Sequence, residues 1–327
     1  MKILVAIYSP VSAWCIPSAS VDALRREFPD HTIVRADSDA DTLAAIADAD
    51  ATFSAQIKPA HLAAATRLTW IHSPAAGVGG MLFPEMVRSA VVMTNSRGTS
   101  AVTIAEHTVA VTLALLRDLP RALRRQAERK WAQNEFHAAG SIRLLSGARV
   151  LLVGLGAIGG ETARLMAAFG ARVIGVRRRL DLPAPPGVSS VVAPDRLRDQ
   201  LPHADVVVLA APQTSATNRL IGREELSLMK PDAVLVNISR GRLVDEQALE
   251  EALSARRLRA AALDVFDEEP LPPDSPLWTR DDVLITPHVS GFHAAFWPDL
   301  TALFADNLHR FLAGQRLRNI VDKHAGY

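Results

Sequence analysis

The stretch Arg149–Gly170, reading RVLLVGLGAIGGETARLMAAFG, constrains this chain of 327 residues more than any other. Arg149 and the apolar run Val150–Val153 predict a buried parallel strand. The run leads straight into Gly154-Leu155-Gly156-Ala157-Ile158-Gly159, a G-x-G-x-x-G turn. A helical pattern follows from Ile158 to Phe169 and stops at Gly170, and Ala171–Val176 reads as a second strand. A glycine turn in this context is the fingerprint of a dinucleotide-binding unit. Gly154 permits the tight turn, Gly156 lets backbone approach a pyrophosphate, and Gly159 lets the helix pack closely on the strand. Ala157 and Ile158 open the helix, whose N–H groups and positive dipole end suit phosphate.

Composition excludes several other classes. Charged residues make up 22% of the chain and the net charge is +1, so nothing global favours nucleic acid or an anionic membrane. The basic run Arg121–Arg129 reads as a solvated helical face. Cys15 is the single cysteine, which rules out an internal disulfide framework and suits a reducing compartment. No apolar run approaches the ~18 residues of a membrane span, and MKILVAIYSP is too short an apolar opening for a signal peptide. A cytoplasmic protein without a metal centre is expected.

The first hundred residues already alternate between strand and helix. Strands are predicted at Lys2–Tyr8, Thr32–Arg35, Ala51–Ser54, Leu68–His72 and Val91–Asn95, with helices at Val21–Phe28, Leu43–Ala47 and Ala60–Ala65. That alternation argues for a parallel sheet covered on both faces. The segment Ser73–Gly80 is rich in small residues, whose exposed N–H groups could hold a carboxylate or could form an ordinary turn. Ser100–Arg117 predicts a long, mostly apolar helix suited to a contact between domains or subunits. Beyond the glycine turn, strands are read at Ala171–Val176, Ser189–Val192, Asp205–Ala210, Ala233–Ile238, Ala260–Val265 and Val283–Thr286. Helices are read at Asp195–Gln200, Glu246–Ser254 and, after Pro287, Ala294–Leu312.

An NAD site usually carries a carboxylate about 20 residues past the glycines, to bind the ribose 2′-hydroxyl. Here the second strand ends in Val176-Arg177-Arg178-Arg179. Guanidinium groups at Arg177 and Arg178 would meet a 2′-phosphate with charge-assisted bonds. NADP(H) is therefore expected over NAD(H), with NAD(H) still possible.

Three further residues sit at predicted strand ends, where open α/β sheets place ligands. Arg240 follows Asn237-Ile238-Ser239, Glu269 precedes Pro270, and His288 follows Thr286-Pro287. Taken singly, each is compatible with a structural or solvated role. Together with Gly154–Gly159, Ile104-Ala105-Glu106-His107, Leu263-Asp264-Val265-Phe266 and the end Gly314–Val321, they resemble the D-isomer-specific 2-hydroxyacid dehydrogenase family, over nearly the whole chain.

The resemblance implies an α/β protein of two doubly wound parallel-sheet domains. A Rossmann cofactor domain, residues 99–288, would be inserted into a flavodoxin-like substrate domain, residues 1–98 plus 289–327. It implies that Arg240 holds the substrate carboxylate and polarises the 2-oxo group, and that His288 is the acid/base. Glu269 would pair with His288, Ile238, Ser239 and Asp264 would border the cofactor, and Ala76 and Gly77 would offer amides to the substrate. The implied partners are a small 2-oxo or 2-hydroxy acid and a second copy of the chain as a homodimer, with no nucleic acid and no membrane. The leading expectation is an NADPH-preferring reductase of a glyoxylate- or hydroxypyruvate-like acid. A phosphite- or phosphoglycerate-type dehydrogenase and a dinucleotide-sensing, corepressor-like binding protein are the alternatives. Gly79 stands where the family commonly has an acidic residue, and Ala211-Pro212-Gln213-Thr214 departs from its usual block. Glu269, where formate dehydrogenases of this superfamily carry glutamine, argues against formate.

Overall fold

The computed structural model describes residues 1–326. The chain divides into two compact units, one of residues 1–99 with the segment from His293 onward, the other Ser100–Phe292. The first unit contains strands β1 (Lys2–Ala6), β2 (Thr32–Arg35), β3 (Ala51–Ser54), β4 (Trp70–Ser73) and β5 (Val92–Asn95). They form one sheet in the order β2-β1-β3-β4-β5, every pair parallel. This is the flavodoxin-like strand order. Leu300, Phe304 and Leu308 of the helix Phe296–Leu312 share a core with Ile3, Val5, Phe53 and Trp70.

The second unit contains β6 (Arg149–Val153), β7 (Arg172–Val176), β8 (Val188–Val192), β9 (Val206–Leu209), β10 (Val234–Asn237), β11 (Ala260–Leu263) and β12 (Val283–Ile285). Their order is β12-β11-β10-β9-β6-β7-β8, again all parallel. Successive side chains of β6, β9 and β10 alternate between two cores. Leu151, Val207 and Leu235 lie in one, and Val150, Val206 and Val234 in the other. Burial on both faces is why these strands read as unbroken apolar runs.

The long helix expected at Ser100–Arg117 spans Ala101–Leu116. Val109, Val111, Leu115 and Leu116 pack in the same core as Val150 and Val206, while Val102 near the start of the helix stays exposed. Further exposed large apolar side chains follow it at Leu119, Leu123, Trp131, Ile142 and Leu144. Helices at Pro84–Arg88, Gln133–Ala139 and Arg223–Leu228 went unread in the sequence, being too short to show a period. No helix among the described residues is long and apolar enough to cross a membrane.

Candidate active site

The strand order of the second unit reverses at β6, which feeds β7 on one side and has β9 on the other. Ligands of open α/β sheets bind beyond the carboxyl ends of the strands at such a point. The glycine turn lies there, between β6 and the helix Ala157–Ala168. Its three glycines answer to three different constraints. Gly154 has φ +102°, in the left-handed region, and a Cβ there would lie 2.7 Å from the Ala210 backbone. A Cβ on Gly159 would lie 1.9 Å from the Gly154 carbonyl oxygen. Around Gly156 no atom comes within 4 Å of a Cβ position. Open space over Gly156, at a helix N-terminus, is what a pyrophosphate requires. Ala157 is exposed and Ile158 half-buried at the start of that helix. The residues present therefore fit a dinucleotide.

The two arginines after β7 have different surroundings. Arg177 is half-buried and turns back on its own loop, donating from Nη1 to the Pro183 carbonyl at 3.2 Å and from Nη2 to the Leu182 carbonyl. Arg178 carries its side chain on the exposed surface. Arg177 thus ties the 177–183 loop to itself, and Arg178 is exposed.

Arg240, Glu269 and His288 come together because β10, β11 and β12 are neighbours whose ends bring them into one recess. The recess has a volume of about 260 Å³ and is lined also by Gln213, Arg242 and Asp267. Gly241 makes the approach possible: a Cβ there would lie 1.9 Å from the Phe266 carbonyl carbon. Asn237 organises the turn before Arg240, with its Nδ2 donating to the Arg240 carbonyl at 2.9 Å. Its Oδ1 accepts from the Ser239 amide at 3.2 Å and the Ser239 hydroxyl at 3.1 Å. Ile238 beside it is buried. The Arg240 guanidinium donates to the Ser239 carbonyl at 2.6 Å. Burial pulls Arg240 below the usual arginine range, against the charge of Glu269, which pulls it up. A guanidinium nonetheless stays charged.

Glu269 accepts from the Phe266 amide through Oε1 at 2.9 Å, while its Oε2 lies 2.7 Å from His288 Nδ1. Burial pushes the Glu269 carboxyl up, but the His288 and Phe266 hydrogen bonds and the charges of His288 and Arg240 outweigh it. The net direction is down from the usual glutamate value. Glu269 is therefore an ionised acceptor, and it fixes the imidazole by one nitrogen. His288 itself has φ +53°, a left-handed backbone that non-glycine residues adopt rarely.

Asp264, expected beside the cofactor, closes the end of β11. It is 1% exposed, and both carboxylate oxygens are engaged by the protein. Oδ1 accepts from the Thr286 hydroxyl at 2.6 Å and the Val289 amide at 3.0 Å, and Oδ2 from the Ser290 amide at 3.1 Å. Thr286 and Asn237 hold the site together without having been singled out. Their cue was adjacency to His288 and Arg240, not any periodicity. In the first unit, Ala76 and Gly77 are exposed on the loop after β4. Asn95 Nδ2 donates to the Ala76 carbonyl at 2.6 Å, and the Ser96 amide to the Ala75 carbonyl at 3.3 Å. Among the described residues no group of three His, Cys, Asp or Glu side chains could hold a metal ion.

Residues 109–290 match the sequence family described as D-isomer specific 2-hydroxyacid dehydrogenase, NAD binding domain. The chain belongs to the D-isomer-specific 2-hydroxyacid dehydrogenase family. It is 33% identical to a glyoxylate reductase of Korarchaeum cryptofilum, over 80% of this chain and 78% of that one. A D-3-phosphoglycerate dehydrogenase of Methanocaldococcus jannaschii is also 33% identical, over 79% of this chain but 48% of the relative. The chain thus spans about half the length of the phosphoglycerate dehydrogenases it matches. A D-isomer specific 2-hydroxyacid dehydrogenase from Xanthobacter autotrophicus Py2, solved in complex with NADPH and MES, superimposes with a TM-score of 0.84 at 27% identity. That superposition covers 100% of this chain and 99% of the other.

Proposed function

We propose that this family member is an NADPH-preferring oxidoreductase that interconverts a small 2-oxo acid and its D-2-hydroxy acid. The observation that carries the reading is the His288–Glu269 pair, 2.7 Å apart in a recess that also holds the buried Arg240. When bound, the nicotinamide supplies the hydride that passes to or from substrate C2. Gly154, Gly156, Ala157, Ile158 and Gly159 would hold the pyrophosphate, and Ile238 and Ser239 would border the cofactor. Arg178 would meet the 2′-phosphate from a loop that Arg177 keeps in shape.

The chemistry left to the chain is charge and proton. Arg240 draws the substrate carboxylate and the 2-oxo oxygen to one guanidinium and stabilises the negative charge that grows on that oxygen. His288 donates the proton that completes the hydroxyl, and takes it back in oxidation. With Nδ1 engaged by Glu269, Nε2 is the nitrogen that exchanges it. Such acid–base help is worth about 10²–10⁴-fold in rate. Amides of Ala76 and Gly77 are proposed as substrate contacts. We read the molecule as a cytoplasmic homodimer, residues 1–98 plus 289–327 serving the substrate and 99–288 the cofactor. The exposed apolar side chains of Val102 on the Ala101–Leu116 helix and of Leu123, Trp131 and Leu144 are the candidates for self-contact.

The phosphoglycerate dehydrogenase relatives support a second reading, a phosphoglycerate-type dehydrogenase on this scaffold. The deciding experiment follows NADPH or NADH absorbance on addition of a panel of 2-oxo acids, including glyoxylate, hydroxypyruvate and phosphohydroxypyruvate. Turnover of an unphosphorylated acid, faster with NADPH, is expected. Turnover of only the phosphorylated acid favours the second reading. Tight dinucleotide binding with no turnover would make the protein a sensor.

A further inference from the structure

His107 belongs to the Ile104–His107 motif, to which the proposed chemistry assigns no task. It lies on the helix Ala101–Leu116, which is anchored by the buried Ala105, Thr108 and Val109 on either side of it. Its Nε2 is 3.2 Å from the Thr286 hydroxyl oxygen, across 179 residues of sequence. That hydroxyl spends its proton on Asp264 Oδ1 at 2.6 Å. The hydroxyl oxygen is then an acceptor toward His107, and Nε2 carries the hydrogen. His107 Nε2 itself is 3.9 Å from Asp264 Oδ1, too far for a direct bond, so Thr286 is the intermediary.

Asp264 in turn holds the backbone of the segment that carries His288. The Val289 and Ser290 amides donate to its carboxylate at 3.0 and 3.1 Å, and the His288 amide donates to its carbonyl at 2.9 Å. Three successive N–H groups thus end on one residue. They hold His288 at φ +53°, a conformation that persists only where the surroundings over-determine it.

We propose that His107 is a positioning residue for His288, acting through the hydrogen-bonded relay His107–Thr286–Asp264 that clamps the 288–290 backbone. The proposal rests on the reading of His288 as proton donor. Two features of His107 agree with it. Burial pushes its imidazole down from 6.5, against a smaller upward pull from Asp264, which favours a neutral ring with one N–H. The relay also starts on a helix locked into the unit's core, and functional side chains are held best by rigid elements.

The test compares His107→Leu, His107→Gln, Thr286→Val and the His107→Leu/Thr286→Val double variant in the full chain. Hydrogen exchange at the Val289 and Ser290 amides is read together with NADPH-dependent turnover. Both His107→Leu and Thr286→Val should speed that exchange. Each should lower kcat about tenfold, the effect of one hydrogen bond in a charged network, with KM for NADPH held within about twofold. His107→Gln restores an N–H donor and should recover kcat to within about threefold. Because the two cuts break one relay, the double variant should be no slower than the worse single one. Unchanged amide exchange in His107→Leu, or losses that multiply in the double variant, would overturn the relay. If His107→Leu does not fold, Thr286→Val makes the same cut from the loop side and its exchange decides. Should His288→Ala retain turnover, the reading of His288 fails, whereas the amide exchange still reports on the relay.

Discussion

Replacing Gly156 by alanine separates ligand binding from folding. The backbone at Gly156 has φ −79°, ordinary for any residue, and an added Cβ meets no atom within 4 Å. The intrinsic cost is that of alanine as a helix N-cap, at most ~1 kcal/mol. In a unit of this size that lowers Tm by roughly 2–4 °C. A pyrophosphate seated over Gly156 would feel the methyl group directly. Losing one charge-assisted hydrogen bond costs about 1.5–3 kcal/mol, which raises the NADPH Kd roughly 10- to 100-fold. Gly159→Ala supplies the contrast: its Cβ would stand 1.9 Å from the Gly154 carbonyl oxygen, so backbone must move and stability itself should fall. The assay is calorimetric titration with NADPH beside a thermal melt for both variants. A Gly156→Ala protein that binds NADPH within about threefold of wild type would show that no phosphate lies over that residue.

Other predictions concern the arginine loop and a buried histidine. Arg178→Ala should raise KM for NADPH by about tenfold or more and leave KM for NADH nearly unchanged, whereas Arg177→Ala, which frees the Leu182 and Pro183 carbonyls, should impair both. An unchanged cofactor preference in both variants would remove the case for NADPH. His72 is buried against Phe53, Trp70 and Phe304, and burial pushes its imidazole from 6.5 down to about 3. The unfolded chain then binds a proton below pH 6.5 that the folded chain refuses, so stability is full above that pH and falls toward about 3. The slope is ~1.4 kcal/mol per pH unit from this residue alone, and urea unfolding of His72→Phe should be flatter with pH by that amount. Equal slopes for wild type and variant would show that His72 takes its proton without unfolding.

What could be read from sequence follows from how each feature is encoded. The two parallel sheets were legible because strands buried on both faces appear as short apolar runs such as Val206–Leu209 and Val234–Asn237. Arg240, Glu269 and His288 were each legible as strand-end residues, but only the family resemblance joined them into one site; in the fold β10, β11 and β12 are neighbours in the sheet. The rule that ligands gather at strand ends applies to all three without saying that they meet. Nothing comparable joins His107 to Thr286, since that contact depends on how the Ala101–Leu116 helix is rotated in the core. The same limit applies to Asp264. Its position marks it as important, yet only the fold shows that its oxygens are turned toward Thr286, Val289 and Ser290. The loop contacts of Arg177 were hidden for a local reason. A guanidinium reaches either a ligand or its own loop's carbonyls, and Leu182 and Pro183 lie five and six residues away.

The central claim is that His288, oriented by Glu269 through a 2.7 Å contact, moves the proton in a dinucleotide-dependent reduction. The most direct measurement is turnover and NADPH affinity of His288→Ala beside wild type, on the best 2-oxo acid of the panel. The prediction is that NADPH still binds with wild-type affinity while kcat falls by about 10²–10⁴-fold. Turnover at near the wild-type rate in His288→Ala would contradict it.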